Sequence, residues 1–450
     1  MRIRVQKFGG TSVDTSEHRN RAADWVEQAV REDWRPVVVV SAMGRRGAPY
    51  ATDTLLDLTG SGGTPRERDL LASCGEIIAA VVMSALLQER GLKAEALTGA
   101  DAGIVTDDSY GHARVLAVDP SPLLALVGRG TIPVVAGFQG KSVAGHVTTL
   151  GRGASDTTAA VLGAALSAEV VEIFTDVDGI KTADPRIVPD ARTLATLEYE
   201  EVFQMASTGA RVVHPRAVEI ARRSGVPLRI RGTLSQDPGT LVASAPPSLD
   251  PWARRVPDTA VSGVTHLDDV VQVECRAPDP PNPHWALTVF RGLAHHHVSV
   301  DLINVFPERA YFTIGAVSEG TTVQVLKALK IPFRLDNRRA IVSIVGSAIH
   351  GLPGVMARVM EAFDTAGAAV LQTADSHSTI SCLVPRADME AAVRALHAQF
   401  HLAGPPDDSD ELPTPQLETA ASVPEPTAVQ DEAEATEAFR RLLEGGKSIE

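Results

Sequence analysis

Three groups of residues in this chain carry chemistry. The first is Gln6-Lys7-Phe8-Gly9-Gly10-Thr11-Ser12, directly after a hydrophobic run at the start of the chain. A lysine at the end of an expected strand, then two glycines and two hydroxyls, brings an ammonium, bare backbone N–H groups and hydroxyl donors together. That combination suits an anionic ligand, although a plain strand-to-helix turn uses the same residues. The second group is Thr148-Thr149-Leu150-Gly151-Arg152-Gly153-Ala154-Ser155-Asp156-Thr157-Thr158. An arginine between glycines, followed by the start of a helix, makes a receptor for carboxylate or phosphate. Ser155 or Asp156 is also a natural cap for that helix. An aspartate beside an anion is costly unless it has a task, such as orienting an attacking oxygen or gathering a lysine and Mg²⁺. The third group, Thr175-Asp176-Val177-Asp178-Gly179-Ile180 through Asp184-Pro185-Arg186, follows an apolar strand pattern. Its carboxylates and hydroxyls fall where open α/β sheets bind ligands, and its Asp-Gly and Asp-Pro pairs also make turns.

These groups need a scaffold that brings strand ends together, and the first 240 or so residues describe one. Near-continuous apolar runs at Ile3–Phe8, Pro36–Ala42, Thr131–Phe138 and Val170–Val177 read as strands buried on both faces. Amphipathic stretches at Glu17–Glu32, Arg68–Gln88 and Ser155–Ser167 alternate with them. This βαβ order predicts an α/β domain with a largely parallel sheet between helices. The run Ala245-Pro246-Pro247-Ser248-Leu249-Asp250-Pro251 reads as a linker, placed at 243–260. Two segments with a coarse β-α-β-β-α order follow, at 261–335 and 336–402. In the second, a helix is expected over Pro353–Ala366, with Pro353 in its first turn. From 403 to 450 the chain is rich in Pro, Ser, Thr, Asp and Glu and reads as a disordered acidic tail. Within it, Asp431–Glu444 carries a short amphipathic pattern with Phe439, Leu442 and Leu443 on one face.

Composition narrows the function classes. The 450 residues carry a formal charge of −14. Twelve acidic against three basic residues from position 401 onward leave the first 400 at only −5. An acidic chain argues against nucleic-acid binding but leaves room for a local basic pocket. No stretch reads as long and apolar enough to cross a bilayer, and no signal-peptide layout is seen. Cys74, Cys275 and Cys382 lie far apart and make neither a metal spacing nor a disulfide framework, which fits a reducing cytoplasm. His295-His296-His297 reads as a helix-end run rather than a metal site. There is no G-x-x-x-x-G-K-[ST], and Gly151-Arg152-Gly153 does not continue into a dinucleotide fingerprint.

Taken together the motifs resemble those of the aspartate kinase family, of the monofunctional type with two C-terminal ACT domains. The resemblance rests on Lys7–Ser12, Ser41-Ala42-Met43-Gly44, Gly75-Glu76, Ala136-Gly137-Phe138-Gln139-Gly140, Thr149–Thr158, Thr175–Arg186 and Gly209-Ala210-Arg211-Val212-Val213-His214-Pro215-Arg216. It implies an amino-acid-kinase catalytic domain over 1–242 and ACT-like βαββαβ domains over 261–335 and 336–402. It further implies ATP-dependent phosphorylation of the side-chain carboxylate of L-aspartate, with Mg²⁺ arriving on the nucleotide. That is the first step toward lysine, threonine and methionine, under feedback through the ACT domains by lysine and/or threonine. The resemblance assigns catalysis to Lys7 and Asp156, and the nucleotide to Lys7, Gly9, Gly10, Thr175, Asp176, Lys181, Arg186 and Arg211. It assigns the substrate to Ser41, Thr52, Glu76, Arg152 and Ser155, with Glu76 on the ammonium and Arg152 on a carboxylate. It implies a homo-oligomer joined through the ACT domains, with no nucleic-acid or membrane partner.

The chain departs from the family pattern in five places. Ala154 replaces a usual second glycine, Ser73-Cys74 a usual Thr-Thr, and Lys181 a common aromatic. The segment Arg45–Ala51 is longer than expected, and Pro283-His284-Trp285 replaces an expected Pro-Gly. The readings weighed against an active aspartate kinase are a glutamate or carbamate kinase of the same fold, and a degenerate homologue that senses an amino acid.

Overall fold

The computed structural model describes all residues except 61, 152, 211, 245–260, 279–282, 348, 350–351 and 405–450. The expected linker lies almost wholly outside the described residues. So does the acidic tail from 405 onward, with the amphipathic pattern at its end.

The N-terminal part runs β1 (Ile3–Phe8), α1 (Ser16–Arg31), β2 (Arg35–Val40), α2 (Thr52–Asp57), α3 (Pro65–Glu89) and β3 (Ala94–Leu97). It continues through β4 (Ile104–Thr106), β5 (Val115–Val118), α4 (Ser121–Gly128), β6 (Ile132–Ala136), β7 (Gln139–Ser142) and β8 (Val147–Thr149). Then come α5 (Ala154–Ala165), β9 (Val170–Thr175), β10 (Thr196–Glu198), α6 (Tyr199–Ser207), α7 (Pro215–Ser224), β11 (Leu228–Gly232) and β12 (Thr240–Ala243). Eight strands form one sheet in the order β10-β12-β11-β9-β1-β2-β6-β3. Every pair is parallel except β11–β12. A smaller sheet, β5-β4-β7-β8, stands beside it.

Local signals set the element ends. Thr15 caps α1 by accepting from the His18 N–H, and Ala22, Ala23, Val26 and Ala29 bury one stripe of that helix. α3 begins at Pro65, ahead of the expected Arg68, because Thr64 and Glu67 form a capping box and proline suits the first turn. The strands stop short of their apolar runs, β2 at Val40, β6 at Ala136 and β9 at Thr175, since the residues beyond turn into the site. One expectation is corrected: α3 is long and apolar enough to cross a membrane. It is instead a core helix, burying Asp69, Ser73, Glu76 and Ser84 as well as apolar residues.

Parallel pairing aligns the strand ends that matter. Phe8 registers with Val40 and Phe174, Val40 with Ala136, and Thr175 with Gly232. The loops after β1, β2, β6, β9 and β11 therefore leave the sheet along one edge. A buried charge knot supports this edge from within: Glu172 on β9 accepts from Gln6 Nε2 at 2.9 Å and lies 3.7 and 3.6 Å from the Arg4 and Arg231 guanidinium groups.

The C-terminal part runs β13 (Gly263–Arg276), α8 (Trp285–His295), β14 (Asp301–Val305), β15 (Arg309–Gly315), α9 (Glu319–Ala328) and β16 (Phe333–Val345). It ends with α10 (Val355–Ala366), β17 (Gln372–Asp375), β18 (Thr379–Pro385) and α11 (Met389–Gln399). Six strands make one antiparallel sheet, β14-β15-β13-β16-β18-β17. β13 and β16 run its full length, so each serves two halves with separate cores. One core gathers Val271, Val273 and Phe312 with Val289 and Leu326. The other gathers Val264, Val342 and Val384 with Phe363 and Leu396. The expected boundary at 335/336 falls inside β16. Pro353 lies outside its helix, ahead of the N-cap Gly354, whose φ of 91° a side chain would resist. The three histidines end α8 as an exposed run.

Candidate functional site

Lys7 is the penultimate residue of β1, and its ammonium stands 2.6 Å from Asp156 Oδ1. Both side chains are about nine-tenths buried. The backbone N–H of His214 donates to Asp156 Oδ2 at 3.0 Å, so the carboxylate is held from two sides. Asp156 lies in the first turn of α5, where the helix's unpaired amides favour negative charge. The cap differs from expectation. It is Gly153, at φ 74°, and neither Ser155 nor Asp156. A Cβ at Gly153 would lie 2.9 Å from the His214 ring, so no side chain fits there. Ser155 and Asp156 are thereby carried inside the helix and face the cleft. Ala154 begins the helix buried in a small cluster with Ala72, Ala113, Phe138 and Leu150 that also forms part of the cleft wall.

The two glycines after Lys7 have different roles. The N–H of Gly9 donates to Phe174 O at 3.2 Å and is not available to cradle a phosphate, which corrects the expected role. Gly10 lines the cleft, and a Cβ there would lie 2.7 Å from Ala42 O and 2.9 Å from Gly44 O. Only glycine lets the β1 turn pass this close to the β2 loop.

Across the cleft, α3 presents Glu76, 3% exposed. Its Oε1 accepts from Thr52 Oγ1 at 3.3 Å, while Oε2 has no protein partner. Burial pushes the carboxyl up to about 8, against the pull of hydrogen bonds from the Ala42 backbone and Thr52. A buried carboxylate with one oxygen unpaired is a ready receptor for an ammonium. Ser41, Thr52 and Ser155 line the same cleft, which encloses ≈920 Å³.

The structure thus brings Lys7, Gly10, Ser41, Thr52, Glu76, Ser155 and Asp156 into one cleft. Arg152 and Arg211 lie outside the described residues. Thr175 ends β9 and Asp176, Lys181 and Arg186 follow it in the chain, all outside that lining. Thr175 Oγ1 donates to Asp176 at 3.2 Å, Lys181 Nζ to Thr193 Oγ1 at 3.2 Å, and the largely exposed Arg186 clasps Asp184. Arg45, from the longer-than-expected loop, joins the cleft to this stretch through a 2.6 Å pair with Asp176.

Sequence reasoning passed over Arg45, Arg46, Asp69, Tyr110 and His112, all of which line the cleft. Asp69 left no distinct signal, since it continues the charged run Arg66-Glu67-Arg68 at the start of α3. Tyr110 and His112 sit in a loop with no motif. The Lys7–Gly10 turn sets an ammonium beside a glycine packed against the β2 loop at the cleft wall, a donor arrangement suited to an anion. No group of three or more His, Cys, Asp or Glu side chains able to hold a metal occurs among the described residues. A divalent ion here would therefore be held chiefly by phosphate and water.

Comparison with known proteins matches residues 2–232 to the amino acid kinase family and residues 342–400 to the ACT domain. The chain is 44% identical over 407 residues to aspartokinase 1 of Bacillus subtilis strain 168, covering 90% of this chain and all of that one. It is 38% identical to the aspartokinase of Mycolicibacterium smegmatis, covering 90% and 97%. Its structure resembles E. coli aspartokinase III in complex with aspartate and ADP, in the R-state. There the TM-score is 0.74 and the identity 25%, covering 89% of this chain and all of that one. The lysine and aspartate complex of the same enzyme, in the T-state, gives 0.70 and 26%, covering 88% and 99%.

Proposed function

The chain belongs to the aspartokinase family, and on that premise we propose how its cleft works. The enzyme transfers the γ-phosphoryl group of ATP to the side-chain carboxylate of L-aspartate, giving 4-phospho-L-aspartate and ADP. This opens the biosynthetic branch to lysine, threonine and methionine, under allosteric control through the ACT region.

The observation that carries the residue-level reading is a buried, half-satisfied Glu76 facing the Lys7–Asp156 pair across one cleft. Glu76 takes the substrate's ammonium. Thr52, Ser41 and Ser155 give hydroxyl contacts, and Arg152 takes a carboxylate. Lys7 offsets charge on the transferring group, and Asp156 holds the Lys7 ammonium at its station. The acceptor carboxylate is already ionised at neutral pH and needs no general base, so positioning and charge neutralisation do the work. One carboxylate oxygen forms a bond to phosphorus as the bond to the β-phosphate oxygen breaks. Gly10 serves the phosphate side by keeping the β1 turn close to the β2 loop, and the nucleotide is assigned to Thr175, Asp176, Lys181 and Arg186, with Arg211 as a further residue of that set. Mg²⁺ accompanies ATP and supplies further charge neutralisation. We place the protein in the cytoplasm as a soluble homo-oligomer, with lysine, threonine or both as effectors. Titrating each into the assay identifies which.

The test supplies purified protein with Mg-ATP and L-aspartate and traps the acyl phosphate with hydroxylamine. Wild type is expected to give aspartyl hydroxamate, and no hydroxamate overturns the kinase reading. Lys7→Ala is expected to lose a hundredfold or more of kcat, on the order of what one charge-stabilising group contributes. Full activity in that variant would remove Lys7 from the mechanism.

A further inference from the structure

α3 carries a second buried carboxylate that phosphoryl transfer leaves without work. Asp69 lies seven residues before Glu76, two helical turns away on the same cleft-facing side. It is 4% exposed and accepts three hydrogen bonds. Oδ2 takes the Gly111 N–H at 3.0 Å and the Thr149 N–H at 2.7 Å, while Oδ1 takes the Thr149 hydroxyl at 2.9 Å. A negative charge beside a site for an amino acid with two carboxylates is unfavourable unless hydrogen-bond donors absorb it, and here they do.

The donors belong to two segments that contribute cleft wall. One is the turn Tyr110–His112 between β4 and β5, and the other is the end of β8 at Thr149. They are bound to each other as well: the Ala113 N–H donates to Thr149 O at 2.9 Å. A Cβ at Gly151 would stand 3.2 Å from His112 Nδ1, so the chain just past β8 is close to that turn as well. β8 is paired with β7 through the Gln139–Thr149 register, and Asp69 links the end of β8 and the Tyr110–His112 turn together to α3.

We propose that Asp69 is a positioning residue for aspartate, holding this wall at a set distance from Glu76 so that the ammonium site and the opposing surface fit one substrate. The assignment rests on the aspartokinase reading above. It predicts a split in the kinetics, because the nucleotide side is built on other strands. Asp69→Ala is expected to raise the aspartate KM about tenfold or more while the ATP KM stays within about twofold. Asp69→Asn is expected to stay near wild type. Its carbonyl can accept both backbone N–H groups, and its amide can donate to the Thr149 hydroxyl, which reverses its role.

Steady-state kinetics of the full chain, with circular dichroism as the fold check, decide the matter. An unchanged aspartate KM in Asp69→Ala overturns the proposal. So does an equal rise in both KM values, which would mark general loosening, and so does an Asn variant as impaired as Ala. If Asp69→Ala does not fold, Thr149→Val removes one of the three bonds and is expected to raise the aspartate KM by a smaller factor. An unchanged aspartate KM there overturns the proposal too. Wild-type hydroxamate separates the two levels: its absence sinks the kinase reading, while its presence beside an unaffected Asp69→Ala sinks only the role of Asp69.

Discussion

At the scale of single residues, the site is a balance of buried charges. Lys7 and Asp156 pair at 2.6 Å, whereas Glu76 is buried with one oxygen open. Glu76 therefore weakens the empty enzyme in order to bind. Its carboxyl, raised to about 8 in the fold, ionises at about 4.5 when unfolded, so the folded state holds the extra proton between those values. The resulting penalty is absent below pH 4.5 and grows as pH rises toward 8. Glu76→Gln is accordingly expected to raise the melting temperature at pH 7–8, to lose that advantage near pH 4, and to abolish aspartate turnover. Calorimetry at both pH values and the hydroxamate assay check it. In wild type, aspartate binding is expected to strengthen from pH 6 to 8, as Glu76 becomes free to ionise against the ammonium. Lys7 and Asp156 stood out because each sits in a short run of matching chemistry, and Glu76 only through the family resemblance; the fold brings all three into one cleft. Asp69 did not, because a carboxylate in the charged run Arg66-Glu67-Arg68-Asp69 reads as a solvated first turn until Gly111 and Thr149, 42 and 80 residues away, are folded onto it.

At the scale of elements, one edge of the parallel sheet does the assembling. The alternation of apolar runs and amphipathic stretches made β1, β2, β6 and β9 readable, but not where each stops. The strand ends are set by turns whose partners are remote, as when the Gly9 N–H is taken by Phe174 O. The same remoteness hid the cap of α5: Gly153 holds it because His214, from the start of α7, occupies the space a side chain would need. The turn after β1 is the tightest of these junctions. Gly10→Ala would press a methyl against Ala42 O and Gly44 O, both backbone atoms that cannot swing aside. It is expected to cost about 1–3 kcal/mol of stability. It is also expected to lower kcat/KM for ATP more than for aspartate. A denaturation series and two substrate titrations measure both effects, and an ATP term no worse than the aspartate term would remove Gly10 from the phosphate side.

At the scale of the whole molecule, the N-terminal and C-terminal parts share surface. Val264 donates to Thr182 O at 2.7 Å, His397 Nε2 meets the Thr182 hydroxyl at 3.0 Å, and Thr208 and Thr265 join hydroxyls at 2.7 Å. The six-stranded sheet also ends in the strand β14, where Ile303, Val305 and Phe306 stand about half exposed. Gln372 of β17 bonds to Leu302 O and to Asn304 Oδ1, so the two ends of the sheet meet here and the exposed apolar side chains, not a bare strand edge, invite association with another chain. The full chain is therefore expected to run as a dimer or larger in light scattering at micromolar concentration, and Ile303→Lys with Val305→Lys to shift it toward monomer. A monomeric wild type contradicts this. The repeats were legible as two β-α-β-β-α segments, but their union in one sheet was not, since nothing local in β13 or β16 marks a strand that serves two cores.

Those two strands also set the order in which the chain can acquire structure. Gly263–Leu267, at the start of β13, pairs with Ile341–Val345 at the far end of β16, over 70 residues later. The other half of β13 finds β15 sooner, through the Val270–Gly315 register. Sequence separation slows pairing because loop closure must precede it. The inner unit, built on α8, β14, β15 and α9, is thus positioned to form first and to lay β16 alongside β13. The outer unit, which carries α11 and its bond to Thr182, can close only on that template. A lesion in the inner core, as at Phe312 or Leu326, would therefore reach the catalytic domain during synthesis as a delay in the last docking step, long before any ligand is present.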